Sequence, residues 1–178
     1  MDDVYSARYD AVIVGSGPGG ASVARDLAKA GKRVIVLEWG SGSPIRGSFL
    51  QYVLWQTVPG RSLLFTPELL AMVRGIATGG SSLFYYATAF AVPHGMLKKH
   101  GIDVRREERE ARADLPIAPL KDEMFTPMAR RIMESARALG YDWKPLPKLM
   151  YQDIWKKGMP CGYYGYPRGV KWIARMLI

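Results

Sequence analysis

Apolar and polar positions alternate with two different periods in the first forty residues. The run YDAVIV, Tyr9 to Val14, is β-rich and apolar on both faces, the pattern of a strand buried in a parallel sheet. Glycines follow at once. Small and apolar residues then fall at Gly20, Val23, Ala24, Leu27 and Ala28, a helical stripe that ends at Gly31, where a left-handed C-cap is expected. RVIVLE, residues 33–38, reads as a second apolar strand ending in a carboxylate. Strand, glycine turn, helix and strand form a compact βαβ unit.

Beyond it the periodicity weakens. Residues 40–63, rich in Gly, Ser and Pro, read as loop. Thr66 and Pro67 predict the N-cap and first turn of a helix carrying Leu69, Leu70, Met72 and Val73 and ended by Gly75. Alternating charges from Asp103 to Asp114 predict a solvated helix face. Thr126, Pro127 and Gly140 bracket a further helix with Ala129, Ile132, Met133, Ala136 and Leu139 inward. Val170, Ile173, Ala174 and Leu177 start a helical stripe that meets no stop signal, as if cut in mid-element. No internal repeat or low-complexity tract is present.

Two parallel strands are too few for a doubly wound sheet, which is covered on both faces. The expected fold class is therefore α/β, a Rossmann-like βαβ unit with additional helices and loops and an incomplete sheet. Two segments are expected: residues 1–90, holding the βαβ unit and a second glycine cluster, and residues 91–178, a helical and loop segment of the same or an adjoining domain.

The candidate chemistry sits on the turns. Gly15, Gly17 and Gly20 make GxGxxG within GSGPGG. In that pattern the glycines give a tight turn, close backbone approach to a pyrophosphate, and close packing of helix on strand. N–H groups at the helix start then bind the anion. A bare GxGxxG is weak, but this one follows a strand, opens a helix, and is answered by Glu38 at the end of the second strand. There a carboxylate accepts hydrogen bonds from ribose hydroxyls and disfavours a 2′-phosphate. The alternative is a surface glutamate at a strand end. In RGIATGGSSLFYYATAF, residues 74–90, Gly79, Gly80, Ser81 and Ser82 could lay successive N–H groups and hydroxyls against a cofactor. Taken alone it is only a loop.

Together, Gly15 to Glu38 with Arg74, Gly75 and Gly79 to Ser82 resemble the glucose-methanol-choline (GMC) oxidoreductase family. Its N-terminal FAD fingerprint is followed by RG, a few residues, and a GGSS that lines the flavin. The resemblance implies FAD as cofactor. It gives the pyrophosphate to Gly15, Ser16, Gly17, Pro18, Gly19 and Gly20, the ribose to Glu38, and the flavin side to Thr78, Gly79, Gly80, Ser81 and Ser82. Trp39 and Tyr85 are further neighbours of the cofactor. Tyr85 stands where family members often carry an asparagine, so flavin-edge contacts differ here. Cys161, Gly165, Gly169 and Lys171 loosely resemble a stretch of the long-chain alcohol oxidase branch, without its second cysteine. The resemblance further implies the front part of a longer enzyme that oxidises a small-molecule alcohol by hydride transfer to flavin.

No catalytic residue is carried over. The family's base is a histidine near the C-terminus, whereas His94 and His100 lie elsewhere, with no partner visible in sequence. Other readings stay open: a flavin reductase or desaturase of another class, which should lack GGSS at this distance, or a non-catalytic dinucleotide-binding subunit completed by a partner chain or a missing C-terminal region.

Charge and composition narrow the partners. Lys and Arg exceed Asp and Glu by 25 to 16, mostly after residue 90. A basic balance can attract nucleic acid or an anionic surface. The aromatic and basic string from Tyr151 to Trp172 carries no recognised nucleic-acid motif, so none is expected. Met124, Met128, Met133, Met150 and Met159 read as packing rather than a metal site. A single cysteine, Cys161, allows no internal disulfide. The acidic start MDDVYSARYD is unlike a signal peptide, and no stretch is long enough for a membrane span. The expected location is cytoplasmic.

Overall fold

The computed structural model describes residues 7–156 and 169–178. They fall into two compact units: residues 7–85 with 173–178, and residues 86–156 with 169–172.

In the first unit, strand β1 (Ala11–Val14), helix α1 (Pro18–Lys29) and strand β2 (Val34–Leu37) follow one another directly. The strands pair in parallel, Ala11 opposite Val34 through Val14 opposite Leu37. The Gly15 N–H extends the ladder to the Leu37 carbonyl at 2.8 Å. Helix α1 starts with proline in its first turn, where a missing N–H costs nothing, and buries Ala21 and Ala24. It ends before Gly31 at φ +76°, the left-handed stop expected from sequence. One strand expectation is corrected: β1 is not buried on both faces. Ala11 and Ile13 are half-buried, whereas Val12 and Val14 are 61% and 84% exposed.

Two further corrections follow in this unit. The stretch 40–63 contains helix α2 (Phe49–Gln56), whose Ser48 cap accepts the Gln51 N–H. Its Tyr52 and Trp55 are three residues apart, on one face, and both meet Phe84 edge-on at 5.9 and 6.2 Å. Trp55, Ala77, Leu83 and Phe84 form the local core. The helix expected after Thr66 is instead a hairpin: β3 (Leu63–Phe65) pairs antiparallel with β4 (Ala71–Val73). Proline after a threonine opens a β-turn as readily as a helix, by fixing the same φ. Here the Leu69 N–H bonds to the Thr66 carbonyl at 2.9 Å, with Leu69 at φ +63°.

The second unit holds α3 (His94–Lys98), α4 (Arg105–Asp114), β5 (Ile117–Pro119), α5 (Pro127–Ala138) and β6 (Pro147–Leu149), with β5 antiparallel to β6. Helix α4 buries nothing, as its charge pattern predicts. Helix α5 has the expected Thr126 cap, and Met133 and Ala136 are buried. Ile132 and Leu139 are 50% and 77% exposed, against the inward positions read for them.

The terminal stripe is not an α-helix. Lys171 bridges Met150 as extended chain in the second unit, and a short 3₁₀ turn, Ala174–Leu177, belongs to the first. Gly169 at φ +73° and the Lys171 pairing set an extended backbone where the apolar spacing alone suggested a helix. Among the described residues no helix is long and apolar enough to cross a membrane. Cys161, Gly165, Met159 and most of the aromatic string from Tyr151 to Trp172 lie outside the described residues, as does the acidic start before Ala7.

Candidate functional site

Gly15 to Gly20 run from the end of β1 into α1. At Gly20 a Cβ would stand 2.0 Å from the Gly15 carbonyl oxygen, so only glycine lets the helix sit this close to the turn. Gly17 and Gly19 differ: each has ordinary φ, and a Cβ there would meet no protein atom within 4 Å. The chain thus leaves open space just where α1 begins. Its N-cap, Gly17, has no side-chain oxygen to satisfy the first-turn N–H groups. An anion fits such a cradle, drawn by those donors and the helix dipole.

Beside it lies an open groove of about 480 Å³, lined by Val14, Gly15, Val36, Leu37, Glu38 and Trp39. Glu38 is tied into the glycine turn. Its Oε2 accepts the Ser16 N–H at 2.9 Å and the Ser16 hydroxyl at 2.5 Å, and its Oε1 accepts the Gly40 N–H at 2.7 Å. Partial burial pushes this carboxyl up, but the hydrogen bonds from Ser16, Gly40 and Trp39 outweigh it and hold it below the usual range. Donors from within the chain thus fill three or more of the carboxylate's roughly four acceptor positions. Trp39 is 65% exposed, with the guanidinium carbons of Arg61 and Arg74 at 5.6 and 5.4 Å from its ring centre. Arg74 also donates twice to the Arg61 carbonyl, at 3.1 and 2.9 Å.

The GGSS turn packs against this loop. The Gly79 N–H donates to the Ser16 hydroxyl at 2.9 Å, and a Cβ on Gly80 would stand 2.9 Å from the Gly17 Cα. Of the two serines, Ser82 is buried: its hydroxyl donates to the Gly79 carbonyl at 2.6 Å and accepts the Ala174 N–H at 2.9 Å. Ser81 is exposed and accepts the Gly75 N–H at 2.9 Å. Thr78 bonds through its N–H to the Ser41 carbonyl at 2.9 Å. Tyr85 is half-buried, and burial pushes its phenol upward. Thus the structure brings Gly15, Ser16, Gly17, Gly79, Gly80 and Glu38 into one cluster. The hydroxyls of Ser81 and Ser82 serve the turn itself.

Sequence reasoning missed one pairing in the second unit. His94 Nε2 lies 2.5 Å from Glu108 Oε2, and Arg112 bonds the other carboxylate oxygen at 2.9 Å. A separate groove of about 230 Å³ is lined by His94, Lys98, Gly101, Ile102, Asp103 and Arg105. The separation of 14 positions between His94 and Glu108 leaves no periodic signal of their contact. His100 is exposed. Among the described residues no three His, Cys, Asp or Glu side chains cluster as a metal site.

The chain is similar to several known proteins. A GMC-type oxidoreductase of Mycobacterium tuberculosis is 29% identical over 166 residues, 83% of this chain and 26% of that protein. A long-chain-alcohol oxidase of Arabidopsis thaliana is 35% identical over 101 residues, 55% of this chain and 14% of that protein. The chain thus spans about a quarter or less of the length of these relatives. A solved formate oxidase of Aspergillus oryzae RIB40 is 21% identical, with TM-score 0.42, over 70% of this chain and 25% of that one. Residues 9–110 match the sequence model described as pyridine nucleotide-disulphide oxidoreductase. That match covers more than half of the chain, which therefore belongs to the pyridine nucleotide-disulphide oxidoreductase family and has GMC-type oxidoreductases among its relatives.

Proposed function

We propose that the chain is the FAD-binding portion of a GMC-like flavin oxidoreductase, with a Rossmann-like βαβ unit as its adenosine-diphosphate half. The observation that carries this reading is the convergence of three features of separate origin. An uncapped helix start stands over open space, a carboxylate ends the second strand, and the GGSS turn packs on the glycine loop. The cofactor is FAD. Its pyrophosphate lies over Gly15 to Gly20, its ribose near Glu38 and Trp39, and its flavin toward Thr78 to Ser82 and Tyr85. Bound FAD supplies a two-electron acceptor, and the substrate is a small-molecule alcohol that gives up a hydride. Residues 1–90 are the cofactor segment and 91–178 the segment that follows it. The relatives' names and the GGSS turn favour this reading over a nicotinamide-dependent reductase.

Further sheet, from more of the polypeptide or from a partner chain, covers the exposed face at Val12 and Val14. A chain with one cysteine suits a reducing cytoplasm. The test is the affinity of the purified chain for FAD: Glu38→Ala weakens it while circular dichroism stays that of the folded chain. Unchanged affinity removes Glu38 from the site.

A further inference from the structure

Ser16 does more than a glycine turn requires of the residue between its first two glycines. Its side chain is fully buried, and both its polar groups face protein. The N–H and the hydroxyl converge on one oxygen of Glu38, 22 residues away, and the same hydroxyl accepts the N–H of Gly79, 63 residues away. A serine hydroxyl has one proton and two lone pairs, so giving the proton to Glu38 leaves acceptor capacity for Gly79. The Gly79 peptide is gripped again from its carbonyl side by the Ser82 hydroxyl. One buried oxygen therefore links the carboxylate at the end of β2 to the turn that carries GGSS.

We propose that Ser16 is a positioning residue that fixes the Glu38 carboxylate and the 79–82 turn at one spacing, so that a ligand spanning both is recognised as a whole. Resting on the FAD reading above, this assigns Ser16 a role in selecting the whole dinucleotide rather than either half. A ligand reaching both loops gains from a distance set in advance, because less ordering is needed on binding. A ligand touching one loop gains little. Serine is the side chain for this task. Alanine and glycine fit the space but carry no hydroxyl, and a larger residue has no room where the GGSS turn packs on the glycine loop.

The test compares wild type, Ser16→Ala, Glu38→Gln and the double variant by titration with FAD and, separately, with ADP. Amide exchange at Gly79 is followed in the unliganded chain. Ser16→Ala is expected to weaken FAD by about tenfold to a hundredfold, the scale of a lost hydrogen bond to a charged group. ADP should weaken less. The double variant should lose less than the product of the single losses, since both changes cut the same link. Exchange at Gly79 should quicken in Ser16→Ala. Losses that multiply, or FAD and ADP weakened alike, overturn the proposal. If the wild type takes up no FAD, the cofactor reading fails by itself, and unchanged Gly79 exchange then overturns the link independently. Should Ser16→Ala fail to fold, Glu38→Gln alone weakens the same link without emptying volume, and must still quicken Gly79 exchange.

Discussion

Ser16, Glu38 and Ser82 are joined to partners 22, 63 and 92 residues away in sequence. The charged residues of α4 bond chiefly to neighbours: Arg106 to Glu107, one residue on, and Arg112 to Glu108, four residues back. The first set is buried or half-buried, and the second mostly exposed. Side chains of similar chemistry thus play different roles. Around the glycine loop they close long loops and fix one arrangement of three segments. Along α4 they pair on the helix surface, and exposed pairs of that kind contribute little. Substitutions in the two regions should therefore separate sharply.

The largest effect is expected at Gly20. Replacing it with valine drives a Cβ into the Gly15 carbonyl, and α1 must leave β1. A loss on the order of 4 kcal/mol or more is expected, seen as a chain that melts far below wild type or fails to fold. A normally melting Gly20→Val chain would mean that helix and turn are not packed as described. Next comes Ser16→Ala, which leaves a buried N–H at Gly79 and a carboxylate short of one donor. Chemical denaturation should show a loss of about 2 kcal/mol.

The same link sets a pH dependence. The Glu38 pKa is lowered in the folded chain, so its stabilisation is fully present above the unfolded carboxylate value, about 4.3. It is lost as pH falls through the lower folded value. In Ser16→Ala the folded value moves back toward the unfolded one, so the acid loss should be smaller and complete at higher pH, and identical acid limbs would contradict the link.

Lys171, in the second unit, offers a contrast of opposite sign. Burial pushes its amine down to about 8. The unfolded chain then holds the extra proton between about 8 and the ordinary lysine value, about 10.4, so stability rises with pH across that window. Relative to Lys171→Met, the wild type should gain stability as pH climbs through 8 toward 10, read as the difference in melting temperature at each pH. A difference that does not change with pH would contradict a lowered amine. The smallest effect belongs to α4, where Arg106→Ala should melt with the wild type at every salt concentration.

How much of this was legible in sequence follows the same division. The βαβ unit and both glycine clusters showed because turn chemistry and period agree locally: Tyr9 to Val14, the stripe to Ala28, and Gly31 each signal the same boundary. Helix α2 was hidden because the glycines and serines flanking Phe49 to Gln56 read as loop, while its cap lies in one Ser48 hydroxyl. The hairpin after Leu63 was misread because Thr66 and Pro67 serve a turn and a helix start equally. Glu38 was placed correctly at the strand end, but its bonds to Ser16 were not foreseen, nor those of Ser16 to Gly79. Contacts between residues 63 positions apart leave no period to read. The pairing of His94 with Glu108 was hidden for the same reason.

The central claim is that the glycine loop and the GGSS turn form one site for FAD. Its most direct test is the visible absorption spectrum of the purified chain after incubation with FAD and removal of excess, with the released cofactor identified after denaturation. Flavin bands that stay with the chain and release FAD are expected. A folded chain that stays colourless, or that retains a nicotinamide dinucleotide instead, would contradict it.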